Sequence, residues 1–555
     1  MQVLLENIAF NHDADLSKTG SFFLRRNETQ VVPIPEWRNE CCSNPECAPA
    51  GYVIDRLPGT LTIKASFLCD DLQATSINVQ ALETTATGTS ILGAVEARAV
   101  PLQNGRSGLV EFNLPNARSR ITGAGVSVSD VTWQWQFATG TQAWKDFQTT
   151  EHRIYSVSRM PNKPWNPTSN SLTDINVPWT EVLDHACAWA AGLIQENEIA
   201  ESITRNVYQL GQQELMRWDG GPCYVRNDLF DCTAFLQLLK QRIGNGQAVN
   251  CDDCATIVST FSNILGCNLF QSNMGFDFDT HPVLLIGNTE ECAMRFGKHA
   301  VAWQLECDAS AALFDACLQV DTDGKPGIRD IDHEFTQPTG LVFDNMQPDS
   351  YKFCFFNVGA CEPKPRKKKQ RSLGSGPFGQ PRIDDEDYLD ILKRFYTFDA
   401  WDNHTEPLKP FDFRTARNAF AGWDSRRERR FEDEALSSGE ALLKRSDSAK
   451  ELVEITVHET KPPANPKELL LQLLGSVEAL HFTRLEPEIG EVSFVDPKAG
   501  SVLFKRRNFV VAVRSVGFRQ TSVLTMAAAI DLKLQQQFSG LPYTLTDLLK
   551  PTDII

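Results

Sequence analysis

The sequence predicts a multidomain chain: an all-β sandwich, then an α+β domain, then a smaller α+β domain. Three observations carry this reading. The 555 residues exceed what a single hydrophobic core organises. Near residue 165 the apolar spacing changes from alternation to intervals of three and four. Between about Cys361 and Pro381 a basic run merges into Gly, Ser and Pro, a composition that cannot bury a core.

Residues 1–160 contain short runs, TLTIKASFL, TSINVQAL, GLVEFNL and VTWQWQFA, that alternate apolar with polar between Gly, Asn, Asp and Ser clusters. They predict a sandwich of seven or eight strands. Trp133 and Trp135 fall on one strand face, which is the pattern of a core and also that of a sugar-binding platform. The Pro- and Asn-rich stretch Pro161–Asn170 reads as a connector.

Residues 165–360 begin with four amphipathic helices, VPWTEVLDHACAWAAGLI, NEIAESITRNVYQL, DLFDCTAFLQLLKQRI and CDDCATIVSTFSNILG. Strands PVLLIG, HAVAWQLE and AALFDACLQV follow, an order that suggests an α+β domain. After the 361–381 linker, residues 382–555 form the third domain. Within it DDEDYLDILKRFYTF reads as helix, and RRERRFEDEALSSGEALLKRSDSAKE as an exposed helical or partly disordered stretch. The tail reads as strands followed by a helix.

The formal charge of −17 opposes a nucleic-acid partner, because phosphate binding needs a basic face. No run of eighteen apolar residues predicts a membrane span, and the N-terminus lacks the pattern of a secretory signal. Fifteen cysteines without a repeating framework point to free thiols in a reducing, cytoplasmic setting. Cys41, Cys42 and Cys47 with Cys69 could hold zinc, but no Cys-x-x-Cys pair occurs there. Asp321, Asp323 and Gly324 lack the spaced Glu of a calcium loop, and Asp321 reads as part of a solvated turn. No phosphate loop occurs, so neither metal nor cofactor is expected.

Thiol chemistry is the strongest signal. A cysteine at a helix start is favoured as thiolate by unpaired N–H groups and the helix dipole. Cys251 stands there, on a helix whose apolar side is Ala255, Ile257, Val258, Phe261 and Ile264. Cys254, three residues on, reads as core or as a substitute nucleophile. A general base is expected from another element, oriented by a carboxylate. His299 opens a strand, and a hairpin turning near Asp308–Ser310 sets Asp315 across from it. Trp218, Gly220, Gly221 and Tyr224 form a loop that could wall the cleft, and Gln247 is a candidate oxyanion donor.

These pieces, in this order, resemble the transglutaminase-like superfamily of papain-like thiol enzymes. NCDDCATIVSTFSNILGC is similar to its cysteine helix, KHAVAWQLE to its His-Ala strand, LFDACLQVD to its Asp strand, and NEIAESITRNVYQL to its leading helix. The resemblance covers about 165–356. It implies a catalytic Cys251, His299 and Asp315 acting by acyl transfer on a protein or peptide substrate. Hydrolysis of an amide is the expected outcome and transamidation the variant. The alternative is a catalytically silent scaffold, with the β domain docking a partner protein.

Overall fold

The computed structural model describes residues 1–13, 15–40, 44–84, 91–166, 172–304, 310–321, 335–342, 351–356, 369, 371–374, 382–402, 418–486 and 489–536. The chain divides into two compact units, Met1–Ile203 with Val258–Leu269, and Thr204–Ile257 with Phe270–Ile555. It is a multidomain α/β protein rich in β-sheet.

In the first unit the alternating runs form two sheets. One is four-stranded, in the order Trp37–Arg38, Val3–Ala9, Leu61–Cys69, Val110–Leu114. The other is six-stranded, in the order Ser21–Phe22, Pro49–Val53, Lys145–Val157, Ser127–Ala138, Ser76–Glu83, Val95–Pro101. Alternation sends one side of each strand into a shared core. Trp133 and Trp135 are both fully buried in it. The Trp133 indole N–H donates to the Gly93 carbonyl at 2.9 Å, and that of Trp135 to Thr150 Oγ1 at 3.0 Å. They are core residues, so the sugar-platform reading of this face is withdrawn. Cys47 is disulfide-bonded, which corrects the expectation of free thiols throughout and removes one member of the suggested zinc set.

In the second unit, a five-stranded sheet runs in the order Thr339–Val342, Ala312–Phe314, Arg295–Gln304, Leu269–Thr280, Phe355–Phe356. A seven-stranded antiparallel sheet runs Trp423–Glu432, Leu436–Arg445, Leu452–Thr460, Phe509–Ser515, Ser501–Arg506, Val492–Val495, Thr483–Arg484. Both faces of this sheet are covered. Val502, Phe504, Val511 and Val513 pack with the helix Leu524–Gln536, and the intervening Leu503, Val510 and Ala512 pack with the helix Pro466–Ser476. Period-two burial on both sides gives the near-continuous apolar runs seen in the sequence.

Two expectations fail here. The RRERR stretch is neither helix nor loop but an edge strand, and the charged segment after it is the strand Leu436–Arg445. Arg427 pairs with Glu440 and Arg429 with Asp231, tertiary partners that outweigh the low strand propensity of charged residues. Most of the expected 361–381 linker lies outside the described residues, but Lys369 and Arg371–Gly374 are packed. Ser372–Leu373 pairs in parallel with Leu229–Phe230, and buried Arg371 reaches Asp252 at 2.8 Å. An ion-paired arginine holds this stretch against the domain, which composition could not reveal.

Candidate active site

The helix Cys251–Asn263 begins where the sequence sets it, because Asn250 and Asp253 form a reciprocal cap. Asp253 N–H donates to Asn250 Oδ1 at 3.2 Å, and Asn250 N–H to Asp253 Oδ2 at 3.3 Å. The Asp253 carboxylate also accepts the N–H groups of Cys223, Tyr224 and Val225 at 2.8–2.9 Å. Burial pushes its pKa up to about 6, while these bonds pull the other way. The same residue thus caps the helix and ties the 220–225 loop to the start of the Cys251 helix.

Asp252 is held by Lys298 Nζ at 2.6 Å and Arg371 Nη2 at 2.8 Å. Burial opposes its charge, but the two cations prevail and hold the carboxyl far below its ordinary value. The acidic pair beside Cys251 is therefore largely balanced.

His299 lies mid-strand, its ring stacked on Phe296 at 5.2 Å. Its Nε2 is 2.8 Å from Asp315 Oδ2. The strand register differs from the expected one. Ala302 pairs with Phe314 and Trp303 with Leu313, so Asp315 sits just past the strand end, two residues off the assumed pairing. It still reaches the imidazole because its backbone is held by Pro338 and its side chain by Tyr351 and Cys317. The Tyr351 hydroxyl donates at 2.6 Å, and the Cys317 N–H at 2.7 Å. Asp321 is not in a solvated turn. It is buried at the end of the strand Leu318–Asp321, opposite Phe335.

A fourth residue, absent from the sequence reading, completes the cluster. Glu478 follows the helix Pro466–Ser476, which Asn465 caps and Pro466 starts. The chain then runs extended beside the His299 strand. Glu478 N–H donates to the Gly220 carbonyl at 2.6 Å, Gly297 N–H donates to the Glu478 carbonyl at 2.7 Å, and Ala479 bridges Phe296. Gly220 adopts φ +77°, a left-handed turn that favours glycine.

The Glu478 side chain is fully buried. Its Oε1 is 2.6 Å from His299 Nδ1. Its Oε2 accepts the Cys251 N–H at 3.0 Å and the Trp218 indole N–H at 2.8 Å. Cys251 Sγ, a His299 ring nitrogen and a Glu478 carboxylate oxygen all lie within 4.8 Å of one another. Two N–H donors thus converge on one oxygen, beside a thiol and an imidazole. Trp218 is the side-chain donor. Gln247 is not: its amide donates to the Glu214 carbonyl and accepts from Phe518 N–H.

Electrostatics follow the contacts. Burial and then the Glu478 carboxylate push the Cys251 thiol up, with His299 working against them. Burial disfavours the charged imidazole, but Asp315 first, then hydrogen bonds to Cys251 and Glu478, raise His299 well above its ordinary value. Cys254 is buried and also pushed up by burial.

Sequence comparison adds nothing specific: no protein-family model and no curated protein matches this chain. Among solved structures, red sea bream transglutaminase is similar at a TM-score of 0.31 and 8% identity, over 84% of this chain and 77% of that one. Among the described residues no helix is long and apolar enough to cross a membrane.

Proposed function

We propose that this chain is a cysteine-dependent acyl-transfer enzyme whose acyl donor is a side-chain carboxamide, with Glu478 holding the site closed. One observation carries the reading: a carboxylate on a glutamate-length side chain has one oxygen between the Cys251 N–H and the Trp218 indole N–H. A glutamine-length amide entering the same slot would offer its carbonyl oxygen to those donors and its carbon to Cys251 Sγ. Backbone peptide hydrolysis has no such support, so side-chain deamidation or transamidation is preferred to the peptidase expected from sequence.

The steps balance simply. Cys251 Sγ attacks the amide carbon while His299 Nδ1 takes the thiol proton, and the oxygen gains negative charge facing the two N–H donors. His299 then protonates the leaving nitrogen, ammonia departs and a thioester remains. Water or an amine adds next, giving a carboxylate or a new amide and returning the thiol. Asp315 orients the imidazole and stabilises its charged form, and Tyr351 orients Asp315.

The silent-scaffold alternative shares this geometry but requires that the carboxylate never yields. The test uses Glu478→Ala with a glutamine-containing peptide and a fluorescent primary amine. Ammonia release or amine incorporation that disappears in Glu478→Ala/Cys251→Ser supports the proposal. Neither product, from a folded variant whose Cys251 alkylates readily, sinks it.

A further inference from the structure

We infer that Cys251 Sγ, His299 Nδ1 and Glu478 Oε1 together bind a single Zn2+ ion. The inference stands on ligand geometry and not on the acyl-transfer reading. Thiolate, imidazole and carboxylate are the donor types zinc takes, and three protein ligands leave its fourth tetrahedral position open. The three donor atoms already lie within 4.8 Å of one another, and all three residues are fully buried.

Supporting contacts are also in place. His299 presents Nδ1 to the cluster while Nε2 faces Asp315 at 2.8 Å, the carboxylate–imidazole pairing that fixes a ligand histidine's tautomer. Glu478 Oε2 is held by the Cys251 and Trp218 N–H groups, so Oε1 is turned toward His299 Nδ1. Zinc takes thiolate and an unprotonated Nδ1, so its binding releases protons. The His299–Glu478 separation of 2.6 Å is a hydrogen-bond distance, and it must open to about 3.3 Å for ligand bonds of about 2.0–2.1 Å.

The experiment measures metal content of the full chain, purified from zinc-supplemented growth without chelator, together with the absorption spectrum after cobalt substitution. One zinc per chain is expected, with an intense thiolate-to-cobalt charge-transfer band. Cys251→Ser and Glu478→Ala should each lose the zinc and Cys254→Ser should keep it. Asp315→Asn should weaken zinc affinity by about 10–100-fold. A wild-type chain without stoichiometric zinc, zinc retained in either ligand variant, or a cobalt spectrum lacking the thiolate band overturns the inference. The cobalt spectrum of wild-type protein keeps the test decisive if a variant fails to fold.

Discussion

Replacing Glu478 by glutamine turns the closing carboxylate into a tethered substrate. The amide oxygen can keep both contacts made by Oε2, to Cys251 N–H and to the Trp218 indole. What is lost is the charge facing His299 Nδ1. Removing one partner of a buried ion pair costs about 3–5 kcal/mol, and the low end applies because Asp315 still pairs with the ring. The thiol loses the second-largest of the influences that push it up, so it ionises more readily. A group held this close has an effective molarity of about 10⁵–10⁸ M in well-oriented intramolecular reactions, so dilution should not matter. After chelator treatment, Cys251 should attack the introduced amide, release one ammonia and, by hydrolysis of the thioester, restore glutamate. Peptide mass spectrometry across residues 466–484 should show a gain of about 1 Da, first-order and independent of protein concentration, and absent in Glu478→Gln/Cys251→Ser. If the amide persists in a folded chain whose Cys251 alkylates freely, the carboxylate does not occupy the acyl position and the functional reading fails.

Other outcomes follow from the same contacts. Trp218→Phe in the Glu478→Ala background should lower turnover by about 10²–10³-fold with little change in folding, since it removes one oxyanion donor. The raised His299 pKa stabilises the closed arrangement fully below about 6.5, its unfolded value, and that stability is lost as pH rises through the folded value. Urea midpoints should therefore fall across the alkaline range, and in Glu478→Ala the fall should begin at lower pH. Asn250→Ala should cost about 1 kcal/mol by removing the helix cap, read as a shift in urea midpoint at constant slope.

Much of the local structure was legible from residues. The helix Cys251–Asn263 starts at Cys251 because Asn250 and Asp253 cap it, and both lie within four residues. His299 and Asp315 are close in sequence, so a wrong register still left them in contact. Glu478 was beyond reach: it lies 227 residues from Cys251 and 179 from His299, on an unremarkable turn after a helix. No local period marks a carboxylate delivered by a distant chain crossing. Trp218 was noticed as a loop residue, but its donor role depends on that same carboxylate. The RRERR strand misled because its Arg and Glu content suits solvated helices, and only its partners across the sheet explain its fold.

That strand has a further consequence. Among the described residues the seven-stranded sheet ends in two open rows of backbone donors and acceptors, which invite another chain to add itself. At one end lie only Thr483 and Arg484, too short a ledge to template a neighbour. At the other, Trp423–Glu432 turns Arg426, Glu428, Arg430 and Glu432 to solvent. An incoming strand would have to match four alternating charges in register before gaining a single ladder bond. The stretch that looked least structured in the sequence thus serves as the guard that keeps this sheet from growing into its neighbours.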